Sequence, residues 1–170
     1  MVNRLKELYS YDKDSGVFTR NITVHYNAKA GDIAGTKTKA GYLLISVDGK
    51  QYLAHRLAWL YEYGEFPDDS IDHINHDKAD NRIENLREAD KTENARNVLL
   101  TSANTSGCTG VCWLKDRCRW FAQIKIDGKN KFLGSFVNFS DAVDARKNAE
   151  VLYGFHENHG KTLEEINNGK

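Results

Sequence analysis

The sequence predicts an α+β chain in two parts, and three stretches carry that expectation. Ile71 to Asn97 reads strand, loop, strand, helix. Trp120 to Ile126 alternates sides, turns at Asp127-Gly128 and returns as a strand from Lys131 to Phe136. Ser140 to Gly154 places alanines at helical spacing. Short antiparallel strands with segregated helices are the α+β pattern.

In the first stretch Ile71 and Ile74 bracket Asp72-His73, a strand end that sends a carboxylate and an imidazole to opposite sides. A polar loop runs from Asn75 to Asn81, and Ile83 and Leu86 return to the core. Asp90 is the expected helix N-cap, with Glu93 at the capping-box spacing. Asn94 and Asn97 then share roughly one face of the first turns.

This stretch resembles the ββα-metal site of the HNH nucleases. More narrowly it is similar to homing-type HNH endonucleases of phage and intron origin, whose last motif histidine is an asparagine. The motif positions fall on His73, Asn85 and Asn94, and His55 to Gly64 resembles the helix leading into such sites. The resemblance covers roughly Ala54 to Asn97. It implies that Asn85 ties the loop and aims the histidine.

Phosphodiester hydrolysis needs a base for the water, charge stabilisation at phosphorus and neutralisation of the leaving oxygen. A neutral histidine has suitable basicity near neutrality, so His73 is the expected general base. Asp72 and Asn94 are the expected metal ligands. Two protein oxygens plus water suit Mg²⁺ first and Mn²⁺ second. His76 reads as loop, and Cys108, Cys112 and Cys118 lack zinc spacing and read as small buried hydrophobes.

Length allows one ordinary domain or two small ones. The 24 basic and 24 acidic residues cancel, which disfavours a generic polycationic nucleic-acid binder. Their placement is uneven. Acids outnumber bases about two to one from Glu65 to Glu93, whereas Cys108 to Leu133 is basic. Three cysteines without an apolar leader suggest a reducing cytosol; the HNH resemblance implies that of a phage-infected or intron-bearing host cell. No run approaches the ~20 apolar residues of a membrane span.

Taken in order, Leu5 to Tyr11 is a short helix or an extended arm, and Val17 to Arg20 a strand. Ile22 to Gly41 is a solvated loop or a phosphate-contacting one. Tyr42 to Val47 and Gln51 to Ala54 flank the hairpin dipeptide Asp48-Gly49. His55 opens a helix ended by Gly64; it is hydrogen-bonded at the helix start or reaches a phosphate with Arg56. Arg82, Arg87 and Arg96 contact phosphates or are salt-bridged. Thr101 to Gly107 reads as a linker.

Beyond it, Trp120, Ala122, Ile124 and Ile126 are expected to face a helix with Ser140 as N-cap and Ala142, Ala145, Ala149 and Leu152 as inner stripe. Phe121, Gln123 and Lys125 take the other face. Thr109-Gly110-Val111, Trp120 to Ile124 and Phe132 to Phe136 resemble the Apetala/ethylene-response-factor type DNA-binding domain. That resemblance implies a sheet laid in the major groove. Cys112 and Leu114 stand where cations are expected, so base specificity does not transfer.

The expected organisation is therefore an HNH nuclease domain (1–100), a linker (101–107), a three-stranded sheet plus helix DNA-binding domain (108–160) and a tail (161–170). Arg56, Arg87, Arg96, Lys115, Arg117, Arg119, Gln123, Lys125 and Lys131 are the candidate DNA contacts. The expected partner is duplex DNA, with no membrane. A single site without a dimer seam favours a nicking monomer. One rival is a non-catalytic, sequence-specific DNA-binding regulator with a decayed site. Another is a metal-stabilised structural module.

Overall fold

The computed structural model describes residues 1–168 apart from the side chains of Lys91, Thr92 and Asn167; the end of the expected tail, 169–170, lies outside the described residues. The chain divides into two compact units, Met1–Asp90 and Lys91–Lys170. This boundary precedes the one expected at Leu100, and the reason is hydrogen bonding. Val98 O accepts from Gly160 N at 2.8 Å, Leu100 N donates to Lys161 O at 3.0 Å, and Arg96 O accepts from His156 N at 3.0 Å. Residues 96–100 thus belong with the C-terminal segment.

In the first unit, α1 (Val2–Leu8) leads into the hairpin of β1 (Tyr9–Asp12) and β2 (Val17–Arg20), which β3 (Ile33–Ala34) extends. A second sheet holds β4 (Thr36–Lys37), β5 (Leu43–Val47) and β6 (Lys50–Leu53). The stretch from Ile22 to Gly41, expected to be only loop, therefore contributes two short strands. Asp48 and Gly49 both take positive φ, 48° and 79°, as a two-residue hairpin turn requires. β6 runs straight into α2 (Ala54–Tyr63), which stops where Gly64 turns left-handed (φ 84°) and donates its N–H to Leu60 O. Leu57 and Leu60 on α2 join Leu5, Phe18, Ile45 and Leu86 in the core. Each such buried side chain stabilises by about 1.5–3 kcal/mol.

β7 (Ser70–His73) pairs antiparallel with β8 (Leu86–Ala89), and a tight 3-10 turn over Ile83–Asn85 precedes β8. The β1–β2 turn clamps the loop between them. Gly16 (φ 72°) lies so close that a Cβ would come within 2.4 Å of Arg82 N. Tyr11 Oη donates to Asn81 O at 2.7 Å.

In the second unit, α3 (Lys91–Ala95) follows Asp90 directly. Residues 101–107 are not a featureless linker. Asn104 Oδ1 accepts from Ser106 N and Gly107 N, and Ser106 Oγ donates to Val111 O at 2.6 Å. The antiparallel sheet orders β11 (Lys129–Phe136), β10 (Arg119–Ile126) and β9 (Val111–Leu114), with α4 (Phe139–Leu152) against it and α5 (Leu163–Asn168) last. Ala122, Ile124 and Ala142 are fully buried between sheet and α4.

Three expectations change here. α4 begins at Phe139, with Asn138 rather than Ser140 at the N-cap position. Leu152 is 75% exposed, because Ala142, Arg146 and Ala149 form the inner stripe and residue 152 is rotated off it. Cys108 is buried as expected, but Cys112 and Cys118 are exposed. No helix among the described residues is long and apolar enough to cross a membrane.

Candidate active site

Strand alternation sends Asp72 and His73 to opposite faces of β7. Asp72 stands across from Arg87, and His73 across from Leu86. Opposed residues share a face, so Arg87 Nη2 reaches Asp72 Oδ2 at 2.8 Å and Nε at 3.2 Å. Arg87, expected either at a phosphate or in a salt bridge, is thus paired with the expected metal ligand.

His73 is buried, only 4% exposed. Its ring packs against His55, from the first turn of α2, at 4.9 Å between centroids. Burial lowers the His73 pKa below the usual imidazole range, while Asn81 and the carboxylates of Asp72, Asp80 and Asp77 pull the other way. A lowered pKa keeps the imidazole neutral, able to accept a proton, near neutral pH. His55 is driven further, down to about 3, by burial first and then by His73 and Arg56. The expected hydrogen bond at the helix start is missing at His55 Nδ1, which is buried without a partner.

The loop from Ile74 to Asn85 is a polar scaffold. Asn85 is buried; its Oδ1 accepts from Asn75 N at 3.0 Å, and its Nδ2 donates to Asp80 O at 2.8 Å. Ile74 N donates to Asn85 O at 2.9 Å. One amide therefore fastens both ends of the loop. Asn75 Nδ2 donates to Asp80 Oδ2, and Arg82 pairs with the same carboxylate at 2.7 Å. Burial opposes charge on Asp80, but Arg82 and Asn75 hold its carboxyl below the usual range.

Arg56 is turned inward in the first unit: Nη2 donates to Pro67 O at 3.3 Å and the guanidinium lies over Phe66. Asn94 and Arg96 fall in the second unit, where Arg96 lies over Phe155. Lys115, Arg117 and Arg119 are exposed around the β9–β10 turn. Gln123 and Lys125 share the sheet face away from α4. Lys131 does not join them. It stands opposite Ile124, on the helix side, with its ammonium at the Tyr153 hydroxyl. Register slips at Leu133, so Phe132 pairs with Gln123 and stacks on Phe121 at 4.9 Å. The outer face is therefore partly aromatic, and Phe132 is 58% exposed.

Sequence reasoning missed Tyr42, Asp80 and Asn81 around His73. No spacing marks them; only the polar run Asn75 to Asn81 hinted at the scaffold.

Residues 52–96 match the HNH endonuclease family model. The HNH segment includes Asp72, His73, Asn85 and Asn94, together with His55 and Arg87. The chain is also similar to Protein 3.8 of Escherichia phage T7, 37% identical over 59 residues, which is 35% of this chain and 49% of that protein. It thus spans about half the length of the curated relative it matches. No solved structure matches the chain.

Nucleases of this family use a divalent cation. Among the described residues no three His, Cys, Asp or Glu side chains converge as a metal cage. The Asp72 carboxylate is a hard oxygen donor, of the kind a divalent cation accepts.

Proposed function

We propose that this chain is a metal-dependent HNH endonuclease that hydrolyses phosphodiester bonds in duplex DNA, of the homing type and nicking one strand. The observation that carries the reading is the buried His73 at the end of β7, next to Asp72 and over a loop fastened by Asn85, all within the HNH segment. His73 takes the proton of the attacking water. Asn85 holds the loop, and through it the strand end that carries the base. Asp72 is the anionic oxygen ligand, and Asn94 the second proposed oxygen donor. A bound Mg²⁺ would polarise the scissile phosphate and neutralise the leaving 3′-oxygen. The Lys91–Lys170 unit supplies DNA affinity through Lys115, Arg117, Arg119, Gln123 and Lys125.

The test is cleavage of supercoiled plasmid with Mg²⁺, Mn²⁺ or EDTA, by the wild-type chain and by His73→Ala. Cleavage should need the cation and should fall by about two to four orders of magnitude in the variant, with DNA affinity unchanged. Undiminished cleavage by His73→Ala would remove His73 from its role.

The Asp72–Arg87 pair favours a second reading, a DNA-binding regulator without cleavage, since the arginine neutralises the expected ligand. Tight duplex binding with no cleavage under any cation would establish that reading.

A further inference from the structure

His55 Nδ1 and His73 Nε2 are buried in the first unit without a hydrogen-bond partner. Their rings meet edge to face, with 86° between the planes. Tyr42 packs beside both, 5.5 Å from His55 and 6.0 Å from His73.

The torsion that sets an imidazole plane is broad, so rotamer preference alone does not aim it. In most sites a hydrogen bond to the second ring nitrogen does that work. His73 Nε2 makes none, so beyond the pull of Asn81 on the ring it is packing that holds its plane. His55 is well placed to do so. It is itself 5% exposed, and it is carried by the most tightly packed part of α2, where Ala54, Leu57 and Ala58 are buried. Its ring therefore has a fixed position, and its flat edge-to-face contact restricts rotation of its neighbour.

We propose that His55 is a positioning residue, whose ring, backed by Tyr42, fixes the plane of the His73 imidazole and so aims the lone pair that accepts the water's proton. The proposal rests on the nuclease reading above. His55 touches neither DNA nor cation in this role; it acts through His73.

The test uses the full chain with His55→Leu, which fills the space without a ring, and His55→Phe, which keeps a ring without nitrogens. Misaiming a reacting group by about 1 Å costs up to about 100-fold in rate. His55→Leu should therefore lower kcat by about 10- to 100-fold with KM for duplex DNA unchanged, while His55→Phe recovers most of the loss. A folded His55→Leu chain with wild-type kcat would overturn the proposal, as would an equal loss in His55→Phe. If His55→Leu does not fold, Tyr42→Leu against Tyr42→Phe gives the same comparison on the backing ring. If the wild-type chain cuts no DNA, the nuclease reading fails by itself. The ring contact is then read from the imidazole proton–nitrogen spectrum. His73 signals should move in His55→Leu, and further than in His55→Phe; unmoved signals refute the positioning role.

Discussion

Arg87 and Asp72 face each other across the β7–β8 pair and form an ion pair at 2.8 Å, inside the segment that matches the HNH endonucleases. The guanidinium and a divalent cation would draw on the same carboxylate. Arg87→Ala should therefore lower the Mg²⁺ concentration for half-maximal cleavage by about fivefold, the equivalent of the ~1 kcal/mol upper range for a partly exposed pair. Asp72→Ala should raise it. Cleavage titrated against Mg²⁺ checks both, and an unchanged midpoint in Arg87→Ala means that the pair does not compete.

Asn85 is the fastening of the loop. Asn85→Ala leaves Asn75 N–H and Asp80 C=O without their bonds. Each buried group left unsatisfied costs about 1–3 kcal/mol. Asn85→Asp keeps the acceptor for Asn75 but buries a carboxylate against the Asp80 carbonyl, so it should be no more stable than Asn85→Ala. Urea unfolding of the three chains gives the order; equal stabilities would show that the amide fastens nothing.

Stability should fall with acid through two histidines. Burial holds His55 at about 3, and holds His159 in the second unit at about 4. In the unfolded chain both titrate near 6.5. Below that value the unfolded chain binds protons that the folded chain refuses, so stability present above about pH 6.5 is lost as pH falls toward the folded values. The limit is about 1.4 kcal/mol per pH unit for each group. His55→Phe removes one of the two, and should lose less stability than wild type between about pH 7 and about pH 5. Parallel losses in urea melts would contradict this.

The two faces of the β9–β11 sheet should differ in DNA binding. Lys125 is exposed on the face away from α4, whereas the Lys131 ammonium sits at Tyr153 on the other side. Lys125→Ala should flatten the log–log salt dependence of duplex binding by roughly 0.9, the release from one phosphate contact. Lys131→Ala should leave the slope as it is. Filter binding across a salt series measures both; a larger change in Lys131→Ala would place the DNA on the helix side.

Local pattern was enough for the pieces of this protein. The Asp48-Gly49 dipeptide marks the β5–β6 turn because two successive positive φ angles exclude most residues. Gly64 marks the end of α2 for the same reason. Period-two alternation in Trp120 to Ile126 separates Ala122 and Ile124 from Gln123 and Lys125, and it sends Asp72 and His73 to opposite sides of a strand end. Tertiary packing decided what each piece meets. Arg87 meets a carboxylate rather than solvent only because β8 returns antiparallel in this register. His55 lies on His73 only because the fold brings the first turn of α2 to the end of β7, and no spacing in the chain records that meeting. Arg146 is buried in α4 because Glu150, the Gln123 carbonyl and His159 satisfy its guanidinium, partners drawn from three separate stretches. Period and turn are properties of neighbours along the chain. Burial and pairing are properties of neighbours in space, and they follow only once the units have closed around their cores.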